Sequence, residues 1–553
     1  MEIINRTIGE LIDYYSEIQP EHECLVFPEH NVHYTYHQFQ QECNIVASGF
    51  MKLGVKKGDH VAVWCTNLPE WVICQFALAK IGAVLVTVNT HYRRYELEYL
   101  LRQSDATTLV LMDSFRDASY VEMLYHLCPD LKMASPGTIN CERFPYLKNL
   151  IYLGEDKKPG MYTWEELKLL GKEGSPEELQ SRQQTVKIED TAILMYTSGT
   201  TGFPKGAMLT HSNLVMDAYY IGESMNLNIE DRMCIPVPFF HCFGSVLGNL
   251  AIFTHGGTMI PIEQFNPRVV LETVEKERCT ALHGVPTMFI AELEEMKINK
   301  YDLSSLRTGI MAGSPCPIEL MKAVTKKMGI KELTVAYGQT EASPVITQTR
   351  TDDHIELRVS TVGRPLPGVE VKIINPTTGE KLPPGNQGEL CARGFLVMKG
   401  YYKMPKATAE VIDQEGWLHT GDLAVETSEG YYKITGRVKE MIIRGGENIY
   451  PREIEEFLYT HPHVLDVQVI GVPSIKYGEE VAACIRLKEG ISATEEEFRE
   501  FCLGKISRFK IPKYFVFMDS YPMTASGKIQ KYKLRQLMIK RLGLENELRI
   551  EMV

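Results

Sequence analysis

Apolar residues along this chain follow two periods that alternate repeatedly. Ala192-Ile193-Leu194-Met195 is an unbroken apolar run of the kind a buried strand gives, and Ser212 to Met225 carries apolar residues at helical spacing. From Thr35 to about Gln348 the two patterns exchange, which predicts stacked α/β layers built on parallel sheets. The most apolar span, Val72 to Val88, is interrupted by Gln75, Lys80 and Gly82, so it predicts a buried helix leading into a strand and not a membrane span. Pro317 opens a segment with apolar Leu320, Met321, Val324 and Met328 that stops at Gly329, an amphipathic helix, and Leu333 to Ala336 then reads as a strand. From about Ser360 the texture changes to short strands between turns such as Pro365-Leu366-Pro367-Gly368 and Pro383-Pro384-Gly385, as in an antiparallel subdomain or small barrel. After Arg437 a small α+β unit is expected, with Leu465, Val467 and Val469 alternating as a strand and Thr494 with Glu497 forming a capping box.

The expected fold class is therefore α/β, with a large N-terminal domain of stacked α/β subdomains plus a β-rich subdomain over residues 1–437. A smaller α+β C-terminal domain follows over residues 438–553, and its length of about 115 residues is enough for an independent fold.

Composition narrows the function classes. A chain of 553 residues exceeds one ordinary core, and 44% hydrophobic content is that of a soluble globular protein. A formal charge of −12 argues against nucleic acid as the main partner, because phosphate neutralisation needs cations. The thirteen cysteines show neither a C-x-x-C pair nor a regular disulfide spacing, which speaks against zinc and against a secreted cystine framework. With an acidic residue early and no long apolar stretch in Met1-Glu2-Ile3-Ile4-Asn5-Arg6, neither a signal nor a transit peptide is visible, and a cytoplasmic location is expected. A homodimer is compatible with the sequence, which does not fix oligomeric state.

The chemistry concentrates in one stretch, Tyr196-Thr197-Ser198-Gly199-Thr200-Thr201-Gly202-Phe203-Pro204-Lys205-Gly206. Glycines let backbone N–H groups turn toward an anion, hydroxyls donate further hydrogen bonds, and Lys205 adds a mobile positive charge, which together make a phosphate cradle. It directly follows the strand-like run, and strand ends are where open α/β sheets bind ligands. A Walker A loop requires a hydroxyl residue after the lysine, and Gly206 stands there instead.

This stretch resembles the signature loop of the adenylate-forming superfamily of acyl-CoA synthetases, aryl-CoA ligases, luciferases and peptide-synthetase adenylation domains. The resemblance continues in family order through Pro238-Phe239-Phe240-His241, Ala312-Gly313-Ser314-Pro315, Tyr337-Gly338-Gln339-Thr340-Glu341, Thr420-Gly421-Asp422, Gly436-Arg437-Val438-Lys439-Glu440 and Met523-Thr524-Ala525-Ser526-Gly527-Lys528. The segments Gly284 to Phe289 and Arg444 to Pro451 are most similar to medium-chain fatty acyl-CoA synthetases.

The resemblance implies a two-step ligase. A carboxylic acid attacks the α-phosphate of ATP to give acyl-AMP and pyrophosphate, and coenzyme A then displaces AMP. Because the first step joins two anions, cations and hydrogen-bond donors are needed where charge develops. Thr197, Ser198, Gly199, Thr200, Thr201, Gly202 and Lys205 would hold the β- and γ-phosphates. Thr340 would donate to the α-phosphate, and Glu341 would ligate Mg²⁺. Gly313, Ser314, Pro315, Tyr337, Gly338 and Gln339 would surround the nucleotide, with Tyr337 stacked on the base. Asp422 would take the ribose hydroxyls and Arg437 would reach the ribose or α-phosphate. Lys528 is the implied catalytic lysine of adenylation, and Lys439 is the implied hinge about which a mobile C-terminal domain turns. Gly445 and Gly446 would let the thiol arm of coenzyme A approach, and His241 would stand as a wall or gate near the carboxylate.

Acetate-activating relatives place a bulky tryptophan where this chain has Gly338, so the acyl pocket is expected to be deeper and a medium-chain acid favoured. Branched, alicyclic and aromatic acids stay open. So do a stand-alone adenylating enzyme that loads a carrier protein, a luciferase-type oxygenase and a non-enzymatic nucleotide binder. The basic residues Lys531, Lys533, Arg535, Lys540 and Arg541 around Leu534, Leu537, Met538 and Leu542 read as the solvated face of a docked helix.

Overall fold

The fold was determined as a computed structural model that describes residues 3–197, 204–314, 316–437, 440–444, 447–503, 505–524, 527–545 and 547. Among these, two large sheets face each other across buried helices. In one, Arg232–Ile235, Thr258–Pro261, Ala281–Gly284, Thr308–Ala312 and Glu332–Gly338 run parallel, and Val345–Gln348 is added antiparallel. In the other, His60–Trp64, Val84–Thr87, Thr108–Leu111, Asn149–Tyr152 and Thr191–Thr197 run parallel, and Lys205–Thr210 lies antiparallel at the edge. Parallel strands covered on both faces read as continuous apolar runs, which is why the sequence shows so few alternating strands here.

Helix Pro69–Ile81 and strand Val84–Thr87 fulfil the reading of the most apolar span, and every helix residue except Glu70 is buried. Gly82 closes the helix in the left-handed region at φ +68°. The two polar interruptions are satisfied inside: Gln75 Nε2 donates to the Ser245 carbonyl at 3.0 Å, and Lys80 Nζ pairs with Asp13 Oδ1 at 2.5 Å. No helix among the described residues is long and apolar enough to cross a membrane.

The β-rich region is an antiparallel meander of Val369–Ile374, Gln387–Gly394, Leu418–Glu426 and Tyr432–Arg437. A smaller C-terminal domain follows, its sheet formed by Ile442–Arg444, Glu447–Ile449, Val464–Ser474, Gly478–Leu487 and Tyr514–Phe517. Helix Ile318–Lys327 begins after Pro317, as its spacing predicts.

Several local expectations are corrected. Strand Lys205–Thr210, which the apolar pattern does not single out, follows the glycine-threonine stretch, and helix His211–Ser224 then comes where the spacing of Ser212 to Met225 predicts it. A register shift between Val464 and Asp466 leaves Leu465 half-buried while Val467 and Val469 are buried. Thr494 accepts from Glu497 N, but the Glu497 carboxylate turns to His463 Nδ1 at 2.7 Å, so only half the capping box forms. In helix Lys531–Arg541, Lys531 pairs with Glu455 at 2.6 Å and Arg535 donates to the Gly471 carbonyl at 3.0 Å, tying the helix to the sheet instead of leaving those charges solvated. Cys128 and Cys141, a pair that sequence spacing does not single out, are disulfide-bonded, and the other eleven cysteines are buried thiols.

One buried amide fixes the segment that leads to His241. Asn67, 4% exposed, donates to the carbonyls of Val237 at 3.0 Å and Ile262 at 2.9 Å, and accepts from Phe239 N at 2.8 Å. Removing it would leave three buried backbone groups unpartnered, each costing about 1–3 kcal/mol. Asn67→Ala is expected to lower the thermal unfolding midpoint by several degrees and to reduce turnover; an unchanged midpoint would show that the amide does not carry this segment.

Candidate active site

Strand ends bring predicted residues together from the three larger sheets of the large domain. The two ends of the glycine-threonine stretch are paired: Thr197 and Lys205 are register partners on antiparallel strands, and Thr197 Oγ1 donates to the Lys205 carbonyl at 3.5 Å. Ser198, Gly199, Thr200, Thr201 and Gly202 lie outside the described residues, as do Pro315, Lys439, Gly445 and Gly446. From the second of these strands, Lys205 Nζ lies 5.0 Å over the Tyr401 ring, and Tyr401 OH donates to Glu341 Oε1 at 2.6 Å. Burial, with the Glu341 charge added, holds the Tyr401 phenol far above its usual range, so it stays a proton donor to that carboxylate. The backbone ties the same parts together, since Met398 N donates to the Glu341 carbonyl and Tyr402 N to the Gly206 carbonyl.

Thr340 and Glu341 lie in a short helical turn, Thr340–Ala342, just past strand Glu332–Gly338. The preceding Gly338 is fixed by backbone geometry: the register slips there, and a Cβ would fall 1.9 Å from the Pro344 carbonyl oxygen. Glycine at 338 thus has a packing reason independent of any acyl pocket. Gln339 is half-buried beside it.

On the next side of the site, Tyr337 OH donates to Asp422 Oδ2 at 2.7 Å, and Arg437 Nε meets Asp422 Oδ1 at 2.9 Å. Asp422 and Arg437 are register partners in the meander, so the ladder itself sets this ion pair. The Asp422 charge holds the Arg437 guanidinium above its usual range against the effect of burial, and burial does the same to the Tyr337 phenol.

His241 accepts from Phe243 N at Nδ1, 3.1 Å away, at the start of a π-helix over Phe243–Leu250. Helices of this type recur at functional sites. Burial, then the Lys528 charge, pushes the imidazole well below its ordinary value, so it is neutral at pH 7. Cys242 Sγ lies 3.8 Å from Thr340 Oγ1, and burial pushes its thiol up to about 11, consistent with filler and not a nucleophile.

Lys528 arrives from the C-terminal domain. Its turn is closed by Thr524 N donating to the Lys528 carbonyl at 2.7 Å and by Lys528 N donating to Thr524 Oγ1 at 3.0 Å. The turn docks on the large domain where Thr287 Oγ1 donates to the Gly527 carbonyl at 3.3 Å. Gly313, at φ +88°, makes room for it: a Cβ there would stand 3.3 Å from Lys528 Cε. Burial lowers the Lys528 pKa, while Cys242, Arg437, Asp422 and Glu341 all act on it electrostatically. Ser314 is half-buried next to Gly313.

Sequence reasoning did not find Tyr401, Asn67, Thr287 or Asp217. Asp217 is fully buried, accepts from Val345 N at 3.1 Å and is pushed well above the usual carboxylate range by burial, so it is a neutral acid behind Cys242. Only Thr287 lies in a segment that stands out in the sequence by resemblance, Gly284 to Phe289, and each of the four takes on its role only through a partner more than 50 residues away.

Residues 13–402 match the family of AMP-binding enzymes and residues 453–528 match the AMP-binding enzyme C-terminal domain. The chain belongs to this adenylate-forming family and stands close to its acyl-CoA synthetases. It is 57% identical over 545 residues to YngI of Bacillus subtilis (strain 168), an acyl-CoA synthetase by its name, covering 99% of both chains. It is 43% identical over 541 residues to the mitochondrial medium-chain acyl-CoA ligase ACSF2 of Danio rerio, covering 97% of this chain and 89% of that one. Among solved structures, the anthranilate CoA ligase AuaEII in complex with anthranoyl-AMP matches with a TM-score of 0.84 at 25% identity, covering 97% of this chain and 99% of that one.

The hydrogen bond from Tyr401 to a carboxylate is of the charged kind, worth about 1.5–3 kcal/mol. Tyr401→Phe is expected to reduce ATP-dependent turnover about tenfold or more while leaving the unfolding midpoint within a few degrees, and wild-type turnover would remove Tyr401 from the site.

Proposed function

We propose that this chain is an AMP-forming acid–thiol ligase that couples a medium-chain fatty acid to coenzyme A through an acyl-AMP intermediate. The observation that carries the reading is that Lys528 of the small domain, seated against Gly313, comes within electrostatic reach of Asp422, Arg437 and Glu341 of the large one. A cationic group placed among donors at the point where acid and nucleotide meet answers the charge problem of the first step. In this reading Lys528 stabilises charge during adenylation, Thr340 donates to the α-phosphate, and Asp422 takes the ribose hydroxyls with Arg437 beside it. The stretch from Thr197 to Lys205 cradles the β- and γ-phosphates, and Gly313, Ser314, Pro315, Tyr337, Gly338 and Gln339 surround the base. Neutral His241 lines the entry of the acid.

Glu341 fits Mg²⁺, since it offers a hard carboxylate already oriented by Tyr401. Bound there with the phosphates, the ion would offset their charge.

The second step requires the small domain to withdraw Lys528 and present Gly445 and Gly446 to the thiol. We place the division between residues 1–437 and 438–553, with Lys439 as hinge. Around the lysine turn the domains meet through the Thr287–Gly527 hydrogen bond, and near the boundary Arg452 Nη1 donates to the Ile434 carbonyl at 2.7 Å, individual links weak enough to break each cycle. The medium-chain preference rests on the relatives named for such acids. A cytoplasmic location goes with this reading.

Loss of a donor that acts in the transition state costs about 10²-fold to 10³-fold in rate. Lys528→Ala is expected to lose acid-dependent pyrophosphate release by that factor yet to convert supplied acyl-AMP to thioester; equal loss in both assays would refute the role. The protonated lysine is the active form and burial lowers its pKa, so the first step should decline with rising pH before the ordinary lysine range is reached. The second step should show no such limb. Across straight-chain acids, kcat/KM should rise by about fourfold per methylene, the equivalent of about 0.8 kcal/mol, until the pocket is filled. A maximum at acetate or at an aromatic acid would overturn the medium-chain assignment without touching the ligase assignment.

A further inference from the structure

Outside the adenylation site, a thiol, an imidazole and a carboxylate meet on neighbouring strands of the meander. Cys391 and His419 are register partners, and Glu389 precedes Cys391 by two residues on the same strand. His419 Nδ1 lies 3.2 Å from Glu389 Oε2 and 3.6 Å from Cys391 Sγ, and the three donor atoms all lie within 4.8 Å of one another. Tetrahedral zinc with ordinary bond lengths sets such nitrogen–oxygen and nitrogen–sulfur pairs about 3.4 Å and about 3.6 Å apart. The other imidazole nitrogen, Nε2, faces Asp413 Oδ2 at 3.5 Å, the arrangement that orients a metal-bound histidine and sends its free lone pair the opposite way. Asp413 is itself held by the backbone N–H groups of Glu415 and Trp417, each 2.9 Å from Oδ1.

We propose that Glu389, Cys391 and His419 form a binding site for a thiophilic divalent cation of the zinc class, with Asp413 positioning the histidine and solvent completing the coordination.

Access is through the histidine: its side chain is 31% exposed and that of Asp413 34%, whereas Cys391 is buried beneath them. The thiol gives its proton to solvent as the metal binds. Cysteine spacing gives no signal for such a cluster, since the donors are joined by strand pairing and not by a short sequence motif. Chemistry separates this cluster from the other carboxylate–imidazole group. His461 Nδ1 accepts from His463 N at 3.2 Å, which puts the ring proton on Nε2 facing Glu497 and leaves no lone pair there for a metal.

The site also has a route to the nucleotide pocket. Glu389 Oε1 accepts from Gly421 N at 2.9 Å, and Thr420 Oγ1 donates to the Leu390 carbonyl at 2.7 Å, so the ladder that would hold the cation also carries Asp422. A bound cation would stiffen that turn.

The test uses the reduced full-length protein. One equivalent of Co²⁺ should give a thiolate-to-cobalt charge-transfer band that Zn²⁺ abolishes, Cys391→Ser should remove it, and His419→Gln and Asp413→Asn should each weaken Co²⁺ binding about tenfold or more. Zinc X-ray absorption on the wild type, which needs no variant, should show one sulfur at about 2.3 Å with nitrogen and oxygen neighbours. A zinc spectrum without sulfur, or a cobalt band that survives Cys391→Ser, overturns the proposal.

Discussion

The Asp422 carboxylate is the joint on which the site is assembled. Its two oxygens are taken by groups from different sheets, Tyr337 from the parallel sheet and Arg437 from the meander. A carboxylate whose side chain is only 7% exposed is costly to bury unless fully partnered, so these two contacts are conditions for the fold. They tie the two sheets together beside Lys528. Replacing either partner would leave a buried charge with half its compensation, and the disturbance would spread to both sheets.

A second constraint is close approach. Gly313 and Gly338 sit at opposite ends of the site, one with a positive φ and a lysine stem against it, the other with a carbonyl oxygen where a Cβ would be. The arrangement of charged groups therefore depends on two positions that have no side chain. Electrostatics then assigns protonation: His241 and Asp217 are held neutral by burial, while Arg437 is kept charged by its carboxylate.

The large-scale organisation was legible in the chain because parallel strands give apolar runs and the meander gives turn clusters. The helix and strand at Pro69–Ile81 and Val84–Thr87 follow directly from that pattern. What escaped was whatever a distant partner decides. Strand Lys205–Thr210 was hidden because its first residues belong to the glycine-threonine motif and read as loop. Glu497 satisfies the spacing of a capping box, yet His463 competes successfully for its carboxylate. Lys531 and Arg535 look like surface charges until Glu455 and the Gly471 carbonyl are brought beside them. Among candidate site residues, Asp422, Arg437, Glu341 and Lys528 were visible as motif members, whereas Tyr401 in Gly400-Tyr401-Tyr402-Lys403 has no chemistry of its own until the fold brings its hydroxyl to Glu341.

Asn67 has a mechanical consequence as well. Its amide stands at the entrance to helix Pro69–Ile81, between the two large sheets, and the same helix grips the π-helix after His241 through Gln75 and Ser245. Thermal breathing of one layer against the other is thus transmitted to the histidine by a pair of amides at one seam. Adaptation of this fold to cold or heat would be tuned at that seam, by loosening or tightening the layers, with every residue that meets nucleotide or acid left as it is.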